Sequence, residues 1–200
     1  MPLGSSDEVT VRASSNVACA SGNLRIQYAS SNLHIEEKMM MNTQTDRIEC
    51  DITIAASAER VWDVLTTPAD VGAWFGTGSP IAIDLRPGGE MTLDHGSNGR
   101  YRTVFVEVDR PRRLSYWWAE GYPDTLATDA SATLVEFTIT AISERETRLT
   151  VVESGFATLV VPSGRDWISH ESHSKGWPDI LAKVAAFAEG RDSTPIMSAE

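Results

Sequence analysis

The stretch TRLTVVESGF, residues 147–156, and the later stretch GWPDILAKVAAF, residues 176–187, decide the fold. In the first, apolar Leu149 and Val151 alternate with polar Arg148 and Thr150, the period of a strand with one buried face. Glu153 continues the apolar row. In the second, Trp177, Ile180, Leu181, Val184 and Phe187 recur at intervals of three and four, with Asp179, Lys183 and, just beyond, Glu189 on the far side. A strand with one apolar face that precedes an amphipathic last helix predicts a sheet gripping that helix, with room between them for a ligand. The helix is expected to open at Gly176-Trp177. Gly176 and Pro178 cost about 1 and about 3 kcal/mol against alanine in a helix interior. Burying Trp177, roughly 200 Å² at about 25 cal/mol per Å², offsets this by up to about 5 kcal/mol, and Pro178 is tolerated in a first turn.

Working outward, Leu114, Tyr116 and Trp118 form a second apolar row and Val135, Phe137 and Ile139 a third, while Glu136 and Thr138 point the other way. Nearer the N-terminus, Ile48, Cys50, Ile52 and Ile54 alternate with Glu49, Asp51 and Thr53. Ser57 then offers an N-cap to a short helix whose stripe is Val61, Trp62, Val64 and Leu65. Thr67-Pro68-Ala69-Asp70 starts another, burying Val71, Trp74 and Phe75 and closed by a loop at Gly76-Thr77-Gly78. Strands are expected at Ile81–Leu85, Glu90–Asp94, Arg100–Asp109, Arg113–Trp118, Ala132–Ile142 and Arg148–Ser154, separated by the turn Pro87-Gly88-Gly89 and loops at Asn98-Gly99 and Glu120–Ser131. With the strand from Arg47, that makes seven strands and two short helices before the last helix, an α+β fold.

Composition narrows the function. With 200 residues, 42% of them hydrophobic, the chain can bury one substantial core. Its net charge of −11 argues against nucleic acid or an anionic membrane as partner, since either demands clustered Lys and Arg. Cys19 and Cys50 read as neither a disulfide framework nor a metal-type pair. With no basic-then-apolar leader, no membrane-length apolar run and no Asn-x-Ser/Thr sequon, a reducing cytoplasm is the expected location. Residues 1–42 are expected to be a flexible or non-native arm, in which Leu24, Ile26, Tyr28 and the run Leu33–Met41 are the patterned pieces. Any of Met39, Met40 and Met41 is a candidate start. The domain is expected over 43–190 and a frayed tail over 191–200.

Four segments then carry a family resemblance: ERVWDVLTTPADVGAWFG from Glu59, RPGGE from Arg86, RPRRLSYWW from Arg110, and TRLTVVESGF from Thr147 followed by Gly176-Trp177. In this order and spacing the chain resembles the START-like (SRPBCC) superfamily, and within it the branch of activator-of-heat-shock-protein-ATPase homologues, from about Arg47 to Gly190. The resemblance implies a helix-grip fold, a curved antiparallel sheet of about seven strands wrapped around a long C-terminal helix. The shared motifs are structural, and none is a catalytic signature.

Three functions follow as expectations. The first is a module that holds a small apolar or aromatic molecule between sheet and helix, walled by Trp74, Met91, Phe105, Tyr116, Trp118, Phe137, Val151, Glu153, Phe156, Trp167, Trp177 and Leu181. Several of these aromatics have an equally simple reading as plain core. The second is an enzyme of the polyketide-cyclase or dehydratase kind that the wider superfamily contains, using Glu153 with His170 or His173 as acid and base. Glu153, in an apolar row, is expected to reach the cavity and hold its proton more tightly there; the alternative is that it pairs with an arginine or caps the strand end. The third, implied by the branch alone, is a protein-binding module acting on a heat-shock-protein ATPase. His170 and His173, three apart, lack a third neighbour for a metal and the spacing of zinc proteases, so no metal and no cofactor are expected.

Overall fold

The structure, a computed structural model, describes residues 17–19, 46–75, 82–94, 96, 99–119, 126–127, 131–165 and 168–190. The patterned pieces Leu24 to Tyr28 and Leu33–Met41, the loop at Gly76-Thr77-Gly78, Trp167 and the tail lie outside these residues.

Seven strands form one antiparallel sheet: β1 (Ala18–Cys19), β2 (Arg47–Ile54), β3 (Glu90–Asp94), β4 (Arg100–Asp109), β5 (Arg113–Trp118), β6 (Thr133–Ser143) and β7 (Glu146–Ser154), in the order β1-β2-β7-β6-β5-β4-β3. Helices α1 (Ala58–Thr66) and α2 (Pro68–Phe75) follow β2, and α3 (His170–Ala188) closes the domain. This is the helix-grip arrangement. The expected rows are aligned by the register: Tyr116 opposes Val135 and Val135 opposes Glu153, while Leu114, Phe137 and Val151 line up one step along. All of these are buried on the face that α3 covers. A bulge between Phe105 and Glu107 bends β4, and the Ser115 hydroxyl accepts the Glu107 amide there.

Ser57 caps α1 as its sequence position predicts, accepting from the Arg60 amide at 3.3 Å. Arg60 in turn ties three elements together. Its guanidinium donates to Asp70 on α2 and, at 3.0 Å, to the Phe187 carbonyl at the end of α3. Glu189 accepts the Ala55 amide at 2.9 Å, so the C-terminal end of α3 is fixed to the turn between β2 and α1.

Three expectations need correction. Residues 82–85 do not form a regular strand: Ile83 makes a single bridge to Met91, and the seventh strand comes instead from the arm. Helix α3 opens at His170 with Ser169 as its N-cap, six residues before the expected Gly176, so Gly176 and Pro178 both lie in its interior. The local preference of those two residues yields to tertiary contacts made by Trp177. Finally, Cys19 and Cys50, opposite each other in the β1–β2 pair, form a disulfide. The arm expected to be flexible therefore supplies β1, and the argument for a reducing compartment loses its support from unpaired cysteines, since disulfides persist where conditions oxidise.

This cross-link closes a loop with a sequence separation of 31. Reduction, or Cys19→Ser, is expected to lower the unfolding free energy by about 2–4 kcal/mol in a denaturant titration. An unchanged midpoint would mean that β1 is not latched to the sheet.

Candidate functional site

Glu153 is a carboxylate with no solvent exposure, placed on the inner face of β7 between Ile48 of β2 and Val135 of β6. An ionisable group survives there only if it is hydrogen-bonded. Three side chains take up most of its roughly four acceptor positions. The Thr133 hydroxyl donates to Oε1 at 2.6 Å and the Trp177 indole Nε1–H donates to Oε2 at 2.7 Å. His173 Nδ1 lies 2.9 Å from Oε1 and 3.0 Å from Oε2. An ionised carboxylate only accepts, so the imidazole proton on this edge is assigned to Nδ1. Glu153 thus faces the space between sheet and α3, and the side chains that meet its carboxylate are Thr133, His173 and Trp177.

The shift in the start of α3 is what makes this possible. From His170 onward, Ser172, His173, Gly176, Trp177 and Ile180 fall on one helical stripe and look onto the sheet beside Glu153. With Phe75, Tyr116, Trp118 and Val135 they enclose a cavity of about 190 Å³. Its walls are mainly apolar, with Phe75, Tyr116, Trp118 and Trp177 supplying rings. Trp118 packs against Phe75 at 5.2 Å and Tyr101 at 5.4 Å between ring centroids, and Phe137 meets Trp177 edge-on at 5.9 Å behind the wall. Gly176 contributes by omission: a Cβ built there would meet nothing within 4 Å, so the helix is bare where it crosses the cavity.

Of the twelve wall residues expected, Tyr116, Trp118, Glu153 and Trp177 line this space. Trp74, Met91, Phe105, Phe137, Val151 and Leu181 are buried core instead. Trp74 stacks on Phe75 and donates its indole N–H to the Val64 carbonyl at 2.9 Å, which turns it away from any ligand. Phe156 lines a neighbouring space, and Trp167 lies outside the described residues. The two histidines also separate. His173 meets Glu153, whereas His170 Nε2 is 3.1 Å from the Arg47 carbonyl, so they do not converge on a common point. Phe75, Val135, Ser172, Gly176 and Ile180 were not expected in the wall. Reading Ser169 as the N-cap would have revealed Ser172 and Gly176, and Ile180 already lay on the expected stripe.

Tyr116 is fully buried, and both burial and the nearby Glu153 charge push its phenol well above the usual tyrosine range. It therefore faces the cavity as a neutral hydroxyl next to an anionic group.

The fold and this cavity between sheet and last helix define a helix-grip, START-like protein. Residues 55–189 match the family model described as Activator of Hsp90 ATPase homolog 1-like protein, and the chain belongs to that family. Solved structures share the fold at low identity. A protein MLL2253 from Mesorhizobium loti is 21% identical, with TM-score 0.56, over 74% of this chain and 99% of that one. CalU16 from Micromonospora echinospora is 20% identical, with TM-score 0.51, over 71% and 75%. The Aha1 dimer from Colwellia psychrerythraea is 15% identical, with TM-score 0.57, over 74% and 98%. No curated protein sequence matches the chain. Among the described residues, no helix is long and apolar enough to cross a membrane.

The raised phenol of Tyr116 has a measurable consequence. Its folded-state value exceeds the unfolded value of about 10, so the folded protein keeps a proton that the unfolded chain loses. This stabilisation is fully present below about pH 10 and is lost as pH climbs above it, at up to about 1.4 kcal/mol per pH unit. Tyr116→Phe is expected to flatten that alkaline arm of the stability curve in urea titrations between about pH 9 and 11; an unaltered slope would show that the phenol ionises as freely folded as unfolded.

Proposed function

We propose that the protein binds a small aromatic or apolar molecule carrying one polar group, in the cavity between the sheet and α3. The observation that carries this reading is the buried Glu153 carboxylate set in a mainly apolar wall. A few placed polar groups within an apolar cavity are how small-molecule sites fix orientation. Here the Glu153 carboxylate supplies an acceptor and the Tyr116 hydroxyl a donor, while the rings of Phe75, Trp118 and Trp177 supply area. A volume of about 190 Å³ exceeds the roughly 150 Å³ cavity that holds a benzene ring, so one substituted ring is the natural occupant. Gly176 supports the reading independently. Alanine there would be favoured by about 1 kcal/mol in a helix and would clash with nothing, so the bare position favours open space over stability. Among structural relatives, DynU16 is described as a putative protein in the dynemicin biosynthetic locus, a setting consistent with small-molecule work. Others are an HSP90 activator and an Aha1 dimer, and action on such an ATPase remains a protein-binding alternative that shares the scaffold without using the cavity.

A second reading is favoured by one specific contact. With Nδ1 held on Glu153, His173 is oriented as histidine acid–base catalysts are, by a carboxylate on the far side of the ring. The pair would move a proton on a bound carbonyl compound, and His170 would take no part. In that case Glu153→Gln lowers turnover of a true substrate by about a hundredfold or more with binding nearly intact; under the binding reading the variant changes affinity alone.

The binding reading is tested by calorimetric titration with 4-ethylphenol. At roughly 0.5 kcal/mol per non-hydrogen atom its nine such atoms gain about 4.5 kcal/mol, giving a Kd just below millimolar. Gly176→Leu, which fills the cavity from the helix side, is expected to abolish the heat of binding while leaving the fold as stable or more so. A wild-type protein that binds neither this nor other small aromatics would refute the reading.

A further inference from the structure

Along the first turn of α3 a second cavity, of about 300 Å³, is lined by Asp46, Phe156, Leu159, Val161, Ile168 and His170 among others. The Phe156 ring lines it and touches a wall residue of the inner cavity. It meets His170, on the outer side, edge-on at 5.4 Å, and His173, a wall of the inner cavity, edge-on at 5.3 Å. Gly155, at φ 99°, turns the chain out of β7 immediately before it, a conformation that favours glycine. Phe156 is only half-buried, at the margin of the core, with its ring between two imidazoles.

The polar groups around the outer cavity are already engaged with the protein. The Asp46 carboxylate accepts the Gly155 and Ala157 amides, the Ser169 hydroxyl accepts the Ser172 amide, and His170 meets the Arg47 carbonyl. What this space offers a ligand is therefore apolar surface, continued outward by Val160 and Val161, which are 64% and 38% exposed.

We propose that the two cavities form one bipartite site for an elongated amphiphile: a polar aromatic head in the inner cavity, facing Glu153 and Tyr116, and an apolar tail that runs past Phe156 into the outer cavity. This rests on the binding reading above and names the class of ligand. The tail is apolar because most of the outer lining is apolar and its polar groups are already engaged with the protein, and Phe156 is the side chain that turns to let it pass.

The test uses the full chain and a series of 4-ethylphenol, 4-butylphenol and 4-hexylphenol in calorimetric titrations. Each methylene removed from water tightens binding by at most about fourfold. The expected result is a gain of at least about tenfold from ethyl to hexyl. Val161→Trp, at an exposed position on the rim, blocks the outer cavity without touching the inner one; it should leave 4-ethylphenol within about twofold and reduce the chain-length gain below about threefold. Leu159→Trp is the second block if the first folds poorly. Short phenols that bind with no chain-length gain, or a full gain surviving both blocks, would overturn the bipartite site alone. Failure of even 4-ethylphenol to bind would overturn the inner-cavity reading and this inference with it.

Discussion

A single buried carboxylate ties the last helix of this domain to its sheet. Glu153 sits on β7, yet the donors that satisfy it come from β6 and from two positions on α3, Thr133, His173 and Trp177. Sheet and helix are thus joined through hydrogen bonds to a charge that could not stay buried without them. The other end of α3 is held by Arg60 and Glu189 on backbone groups. Between these two anchors the helix spans the sheet at a fixed height, and the unfilled stretch beneath Gly176 becomes a cavity.

The same constraint explains an awkward helix. Glycine and proline in its interior cost about 4 kcal/mol together on intrinsic preference. Trp177, which separates them, buries a large ring and donates to Glu153, and the N-cap at Ser169 supplies a regular start well before the weak positions. Propensity here is overridden by burial and by one specific hydrogen bond. The result places His173 one turn ahead of Trp177, so that both reach the same carboxylate.

Much of the architecture was legible from alternation alone. The rows Tyr116, Val135 and Glu153, and Leu114, Phe137 and Val151, are aligned across three strands as the period-two pattern predicts, because only one face of the sheet is buried. The site was less legible. Periodicity cannot tell a wall from the core behind it, and so Phe137, Val151 and Leu181 were grouped with residues that touch the cavity. Gly176 and Pro178 disguised the true start of α3, which hid the part of the stripe that carries Ser172 and Gly176. The disulfide was invisible for a different reason: Cys19 and Cys50 come together only through a two-residue strand of the arm, and nothing in the spacing of two cysteines specifies such a partner.

The central claim is that the space beside Glu153 receives a ligand. The most direct measurement follows the tryptophan indole N–H resonances by heteronuclear NMR while 4-ethylphenol is added. The indole of Trp177, bonded to Glu153, should shift saturably along with that of Trp118, whereas that of Trp62, buried in the core and not part of the cavity wall, should stay in place. Saturable shifts confined to Trp62, or none at Trp177 while the phenol demonstrably binds, would contradict the account.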